Sequence, residues 1–273
     1  MIKKCIYVIL SLVILSCQNE EQITYPEYYR NFNKISEYLN SGQIEIAIAK
    51  FDSLSAKIPH VPSSHLFKMS RICSENNLCD LSAKYLKKSI KNGKEYGKGI
   101  GQYKTIDQCS KEIESVLKME SEIHKQKFNF YYKAQIDSMF QADQKARNES
   151  DYETLKVVDS LNMLTLMNQI EKYGYPGEKS IGHESAFNAF IMLLHMDRDK
   201  QNKIFKPILD EAYNSGQLWP RGYAWIVDRR RAWGDEELEP YYYHMPSKKY
   251  DNFNMEQINE VNRRRDSIGL EPK

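Results

Sequence analysis

The chain has 273 residues, 28% of them charged and 41% hydrophobic, with 39 basic against 37 acidic side chains and a formal charge of +2. That length holds one large domain or two ordinary ones, with room for a buried core, and the composition is that of a soluble globular protein. A balance this close to neutral gives no electrostatic footprint for nucleic acid or for an anionic membrane surface.

Residues 1–16 predict a processing segment rather than part of the fold. Lys3 and Lys4 supply a positive start, and Ile6 to Leu15 is an apolar run too short to span a bilayer in comfort. The run closes on Ile14-Leu15-Ser16-Cys17. An aliphatic residue, a small residue and then cysteine in that order resemble the lipobox of bacterial lipoproteins. The resemblance implies cleavage before Cys17, acylation of its thiol and new amino group, and a stable anchor in a membrane. An ordinary signal peptide or short anchor is the plainer alternative. Cleavage removes Lys3 and Lys4 and no acid, so the formal charge falls from +2 to about 0. Residues 17–25 then form a tether. Its Gln18-Asn19-Glu20-Glu21 resembles the short acidic signal that sends some Gram-negative lipoproteins to the outer cell surface, although a solvated tether explains the same residues. The expected address is the cell envelope, as an outer-membrane lipoprotein.

Residues 26–125 predict paired helices. Pro26 opens one through about Leu39, and Ser41-Gly42 breaks it; Ile44, Ala47, Ile48, Phe51 and Leu54 then recur at helical spacing up to Pro59. Ala49-Lys50-Phe51 returns as Ala83-Lys84-Tyr85, and Pro59 falls opposite Gly93. This period resembles that of tetratricopeptide repeats, two degenerate copies of which would span residues 26–95. The resemblance implies a concave surface for a protein or peptide partner; a helical spacer fits as well. A further helix from about Thr105 to Lys125 can bury the outer face with Ile106, Ile113, Val116 and Leu117. Gly93, Gly97, Gly99 and Gly101 lack the G-x-G-x-x-G spacing and follow no strand, so they read as a connector and not a phosphate loop. Cys73, Cys79 and Cys109 are an odd set without C-x-x-C spacing, so neither a zinc site nor a disulfide framework is indicated. They are expected as buried small hydrophobes, with one Cys73–Cys79 bridge open in an oxidising compartment.

Residues 126–273 predict a compact helical domain, making the whole chain all-α. A helix from about Phe128 ends at Asn148–Asp151, a longer one runs from Tyr152 to Tyr173, and Gly174-Tyr175-Pro176-Gly177 is a turn. Helix 184–196 follows. Asp197 or Asp199 can cap the next helix, which Pro207 should kink or restart. Pro220 opens a helix that Gly234 stops, and the last, from about Met255 to Ser267, ends at Gly269. Asp143-Gln144-x-x-Arg147, Asp159-x-x-Asn162, Tyr173-Gly174-Tyr175-Pro176, Leu194-His195-x-Asp197 and Tyr223-Ala224-x-x-x-Asp228-Arg229 occur in that order. They resemble a bacterial domain family of unknown function with motifs D-Q-x-x-R, D-x-x-N, Y-G-W-P, Q-H-x-D, A-Y-L-x-D-R and Y-G-T-Q. Here the tryptophan of the turn is Tyr175, and the last motif stands as Tyr241-Tyr242-Tyr243-His244. The resemblance implies a boundary and a set of residues, but no reaction.

Two readings of those residues stand. Asp143, Gln144, Arg147, Asp159, Asn162, His195, Asp228 and Arg229 can converge on one polar pocket, with His195 as a general base oriented by Asp197 or Asp228, in a hydrolase-like enzyme. Alternatively they form an internal network, and the protein is a membrane-tethered binding or scaffold module. Asp143 and Arg147, four apart, can pair along one helix face; Asp228 and Arg229, adjacent, diverge. Arg221, Arg229, Arg230 and Arg231 could hold an anion through their planar forks. No metal-ligand spacing, cofactor motif or nucleophile elbow is legible, which favours the module.

Overall fold

The computed structural model describes residues 21–96, 109–149, 152–195, 201–232, 238–243 and 253–273. Among them the regular elements are all α-helices and no strand occurs. The front half comprises α1 (Tyr25–Asn40), α2 (Ile44–Ala56), α3 (Ser63–Glu75), α4 (Cys79–Lys91), α5 (Ser110–Leu117) and α6 (Glu120–Lys127). The back half comprises α7 (Phe130–Glu149), α8 (Tyr152–Tyr173), the short α9 (Glu178–Ile181), α10 (His183–His195), α11 (Gln201–Asn214), α12 (Pro220–Ala232) and α13 (Met255–Ser267).

Local chemistry sets many of these limits. The Thr24 side chain accepts from the Glu27 amide, Pro26 sits in the first turn of α1, and Ser41 closes it. Asn254 and Gln257 form a reciprocal capping box at α13. Two expectations are corrected. The helix expected from Thr105 to Lys125 is two short ones, α5 and α6, separated at Lys118-Met119; residues 97–108, including Gly97, Gly99, Gly101 and Ile106, lie outside the described set. Pro207 lies inside α11, which runs unbroken from Gln201 to Asn214, so it does not restart the helix.

Three apolar clusters hold the helices. Tyr28, Phe32 and Ile35 of α1 meet Ala47, Phe51 and Leu54 of α2, Leu66 and Met69 of α3, and Tyr85 of α4. The Phe51 and Tyr85 rings lie edge to face at 5.6 Å. Leu86 and Ile90 pack with Tyr96, Ile113 and Val116. The largest cluster joins Ile136, Leu166, Phe190, Leu194, Leu209, Ala224 and Val227 in the back half.

The α3–α4 contact is built differently. Ser70 Oγ donates to the Ser82 carbonyl at 2.8 Å, Ser82 Oγ donates to the Ser70 carbonyl at 2.9 Å, and Ser89 Oγ donates to the Ser63 carbonyl at 2.8 Å. All four serines are buried. Side chains this small let the two backbones approach, and each hydroxyl is satisfied as it is buried.

The cysteines contradict the reading of them as unbridged. Cys79 and Cys109 form a disulfide linking the starts of α4 and α5. Cys73 is free and buried, so the Cys73–Cys79 bridge is excluded; burial pushes its thiol up to about 11, out of the reactive range.

Front and back meet along a close seam. The His183 amide donates to the Gly93 carbonyl at 2.8 Å. Gly93 has φ +118°, and a Cβ there would fall 2.3 Å from the Glu178 carbonyl oxygen, so only glycine fits. The C-terminal segment returns to α1, where Arg30 bonds the Asp266 carbonyl at 2.8 Å and Asn33 that of Gly269 at 3.2 Å. Trp219 packs against both larger clusters.

Candidate functional site

Part of the expected ionic set converges. Asp143 and Arg147 lie one turn apart on α7, Asp159 projects from α8, and His195 ends α10. Arg147 Nη2 donates to Asp143 Oδ1 at 2.9 Å and to Asp159 Oδ1 at 2.7 Å, while Gln144 Nε2 donates to Asp143 Oδ2 at 2.7 Å. His195 Nδ1 stands 3.0 Å from Asp143 Oδ2 and 2.8 Å from Arg147 Nε. The Arg147 Nε–H points between two acceptors, His195 Nδ1 at 2.8 Å and Asp143 Oδ1 at 3.1 Å. Burial works against ionisation of Asp143, but the bonds from His195 and Arg147 outweigh it and hold its carboxyl below the usual range. Asn162 serves the helix pair instead, donating to the Met139 carbonyl at 3.3 Å.

Asp228 does something else. Its carboxylate accepts from three successive backbone amides, of Tyr241 at 2.6 Å, Tyr242 at 3.2 Å and Tyr243. It fastens residues 241–243 to α12 as a strap. Asp197 lies outside the described residues. Among the described residues no serine, threonine or cysteine side chain bonds His195. The arrangement closes helix α10 onto α7. We expect His195→Ala to remove one bond to a charged partner of the Asp143–Arg147 pair, costing about 2 kcal/mol and lowering the melting temperature by several degrees. An unchanged thermal melt would reopen a catalytic role.

The larger construction lies at the seam, around a residue with no place in the expected set. Glu178 opens α9, and both its oxygens accept bonds. The Ser63 amide donates at 2.8 Å and its hydroxyl at 2.6 Å, His60 Nε2 approaches at 3.0 Å, and His183 Nδ1 at 3.1 Å. Burial disfavours the charge, yet these donors win and bring the Glu178 pKa down to about 2. A carboxylate so weakly basic cannot take the Ser63 proton, so Ser63 is clamped rather than activated.

Beside this clasp lies a cavity of about 620 Å³ whose walls come from both halves: Phe32, His65 and Lys68 from the front, Trp219, Arg221 and Arg265 from the back. The His65 ring stacks on Phe32 with centroids 3.6 Å apart, and its Nδ1 meets the Tyr28 hydroxyl at 3.0 Å. Burial pushes its pKa down to about 3, so it is neutral at physiological pH. Sequence reasoning missed Glu178, His60 and His65 because no local motif joins them; the one local sign was an acid directly after the Gly-Tyr-Pro-Gly turn. Comparison with family models, with curated proteins and with solved structures found no match to this chain.

Proposed function

We propose that the protein is a membrane-tethered extracytoplasmic lipoprotein whose helical body is a binding module, its ligand held in the cavity between the two halves. The cavity is the observation that carries this reading. Its volume of about 620 Å³ falls within the range of small-molecule sites, and aromatic and cationic side chains line much of it. The hydrolase-like alternative has His195 oriented by Asp197 or Asp228; the Asp228 carboxylate holds the 241–243 strap, and Asp197 lies outside the described residues.

Address and fold class follow the same reading. The lipobox-like Ile14-Leu15-Ser16-Cys17 supports acylation, and a disulfide supports a compartment outside the reducing cytoplasm. Pairing of α1 with α2 and α3 with α4, with Phe51 and Tyr85 buried at corresponding places, supports a degenerate tetratricopeptide-like front half. The ordered motifs of residues 126–270 support kinship of the back half with the uncharacterised bacterial family. Cys17→Ser is expected to move the protein from the membrane fraction to the soluble one; continued membrane retention would count against lipidation. Binding is tested by a thermal-shift screen of the mature Cys17→Ser chain. Hits should be lost in Ser64→Trp, an exposed position on the cavity wall, and hits unaffected by it would place the ligand elsewhere.

A further inference from the structure

The seam cavity carries more positive charge than its walls neutralise. Lys68 spends its ammonium on the Ser36 hydroxyl at 3.0 Å and on the face of Phe32, 5.5 Å away. Arg221, in the first turn of α12, is exposed. Among the described residues neither makes an ion pair. Burial lowers the pKa of Lys68 first, and Arg71 and Arg221 lower it further, while Glu271 opposes them. Arg265 adds a third cation to the lining, held by the carbonyls of Glu271 and Tyr241. Of the two carboxylates on the wall, Glu178 already has its donors, and Glu271 is exposed. The cations therefore face a space where a ligand charge would relieve their repulsion.

The opposite requirement is also met. Phe32 and the neutral His65 form a stacked pair, and Trp219 and Tyr29 line the same cavity. Rings offer area to a planar or sugar-like body without fixing its identity. A volume of about 620 Å³ suits one small molecule and not a folded partner.

We infer that the cavity takes a small organic acid, its oxyanion between Lys68 and Arg221 and its ring against Phe32, His65 and Trp219. This rests on the binding-module reading and names the ligand class within it. The chemistry is shared by aromatic acids and by sugar acids, so the test carries both. Calorimetric titration of the mature Cys17→Ser chain would use indole-3-acetate against indole-3-acetamide, and glucuronate against glucose. At least one acid should bind tenfold or more tightly than its neutral counterpart, and the matched pair that discriminates identifies the body. Lys68→Met and Arg221→Met should each weaken that acid about tenfold, leave the neutral compound unchanged, and leave the melting temperature near the parent's, since neither residue is ion-paired. Equal binding of acid and neutral compound overturns the anion assignment and leaves the binding reading intact, as does an acid whose affinity ignores both substitutions. If no probe of either charge binds, the binding reading falls with it.

Discussion

Glu178→Ala is expected to destabilise the protein by on the order of 3–5 kcal/mol, the cost of removing one member of a buried ionic cluster. The substitution leaves the Ser63 amide and hydroxyl and the His60 ring without their acceptor at the point where α3 and α9 meet. Glu178→Gln should cost less, because its amide keeps one acceptor oxygen but removes the charge and the second acceptor. Denaturant midpoints at pH 7 measure both, and a loss below about 1 kcal/mol would remove the clasp from the account. The same group dictates an acid limb. Its folded-state pKa of about 2 lies below its ordinary 4.5, so the unfolded chain takes up the proton first. The contribution is complete above pH 4.5 and is lost as the pH falls through 2; the gap corresponds to about 3 kcal/mol. Glu178→Gln should flatten the stability profile over that window, and a profile parallel to the parent's would assign the acid sensitivity elsewhere.

Replacing Cys79 and Cys109 together by serine is expected to cost about 3–4 kcal/mol, the chain-entropy value for a bridge across some thirty residues. Double substitution is the clean test, since a single one leaves a reactive thiol. The loss should fall unevenly. Between them α5 and α6 bury few apolar side chains, chiefly Ile113 and Val116, whereas α1 to α4 share a large core. Amide exchange in α5 and α6 should accelerate before exchange in α3 and α4. Uniform acceleration throughout the front half would show that the bridge secures all of it. A reductant such as dithiothreitol should reproduce the effect in the parent chain. Cys73 should not interfere, because its raised pKa keeps it protonated.

Helices were legible wherever the chain carries its own punctuation. Pro26, Ser41-Gly42, the Gly-Tyr-Pro-Gly turn, Pro220 and Gly269 sit at or beside the ends of α1, α8, α12 and α13. Asp143 with Arg147 was readable from a spacing of four, and the pair exists. What escaped depends on distance along the chain. Glu178 meets Ser63 and His60 across separations of 115 and 118 residues, and no periodicity reports such a meeting. The serine contact did leave a trace: Ser63 and Ser70, like Ser82 and Ser89, stand seven apart, so each pair shares one helix face. Tyr242 is instructive in another way. Its backbone holds a left-handed φ of +51°, a conformation that favours glycine and that a tyrosine in the sequence does not announce.

The strap fastened by Asp228 has a reach beyond its own bonds. Tyr241 offers its carbonyl to Arg265, and Tyr243 borders the cavity, so one carboxylate on α12 sets the posture of two residues of the cavity wall. Reshaping that space need not run through the residues that line it. A change at that anchorage would move the wall from behind while every lining side chain stays the same.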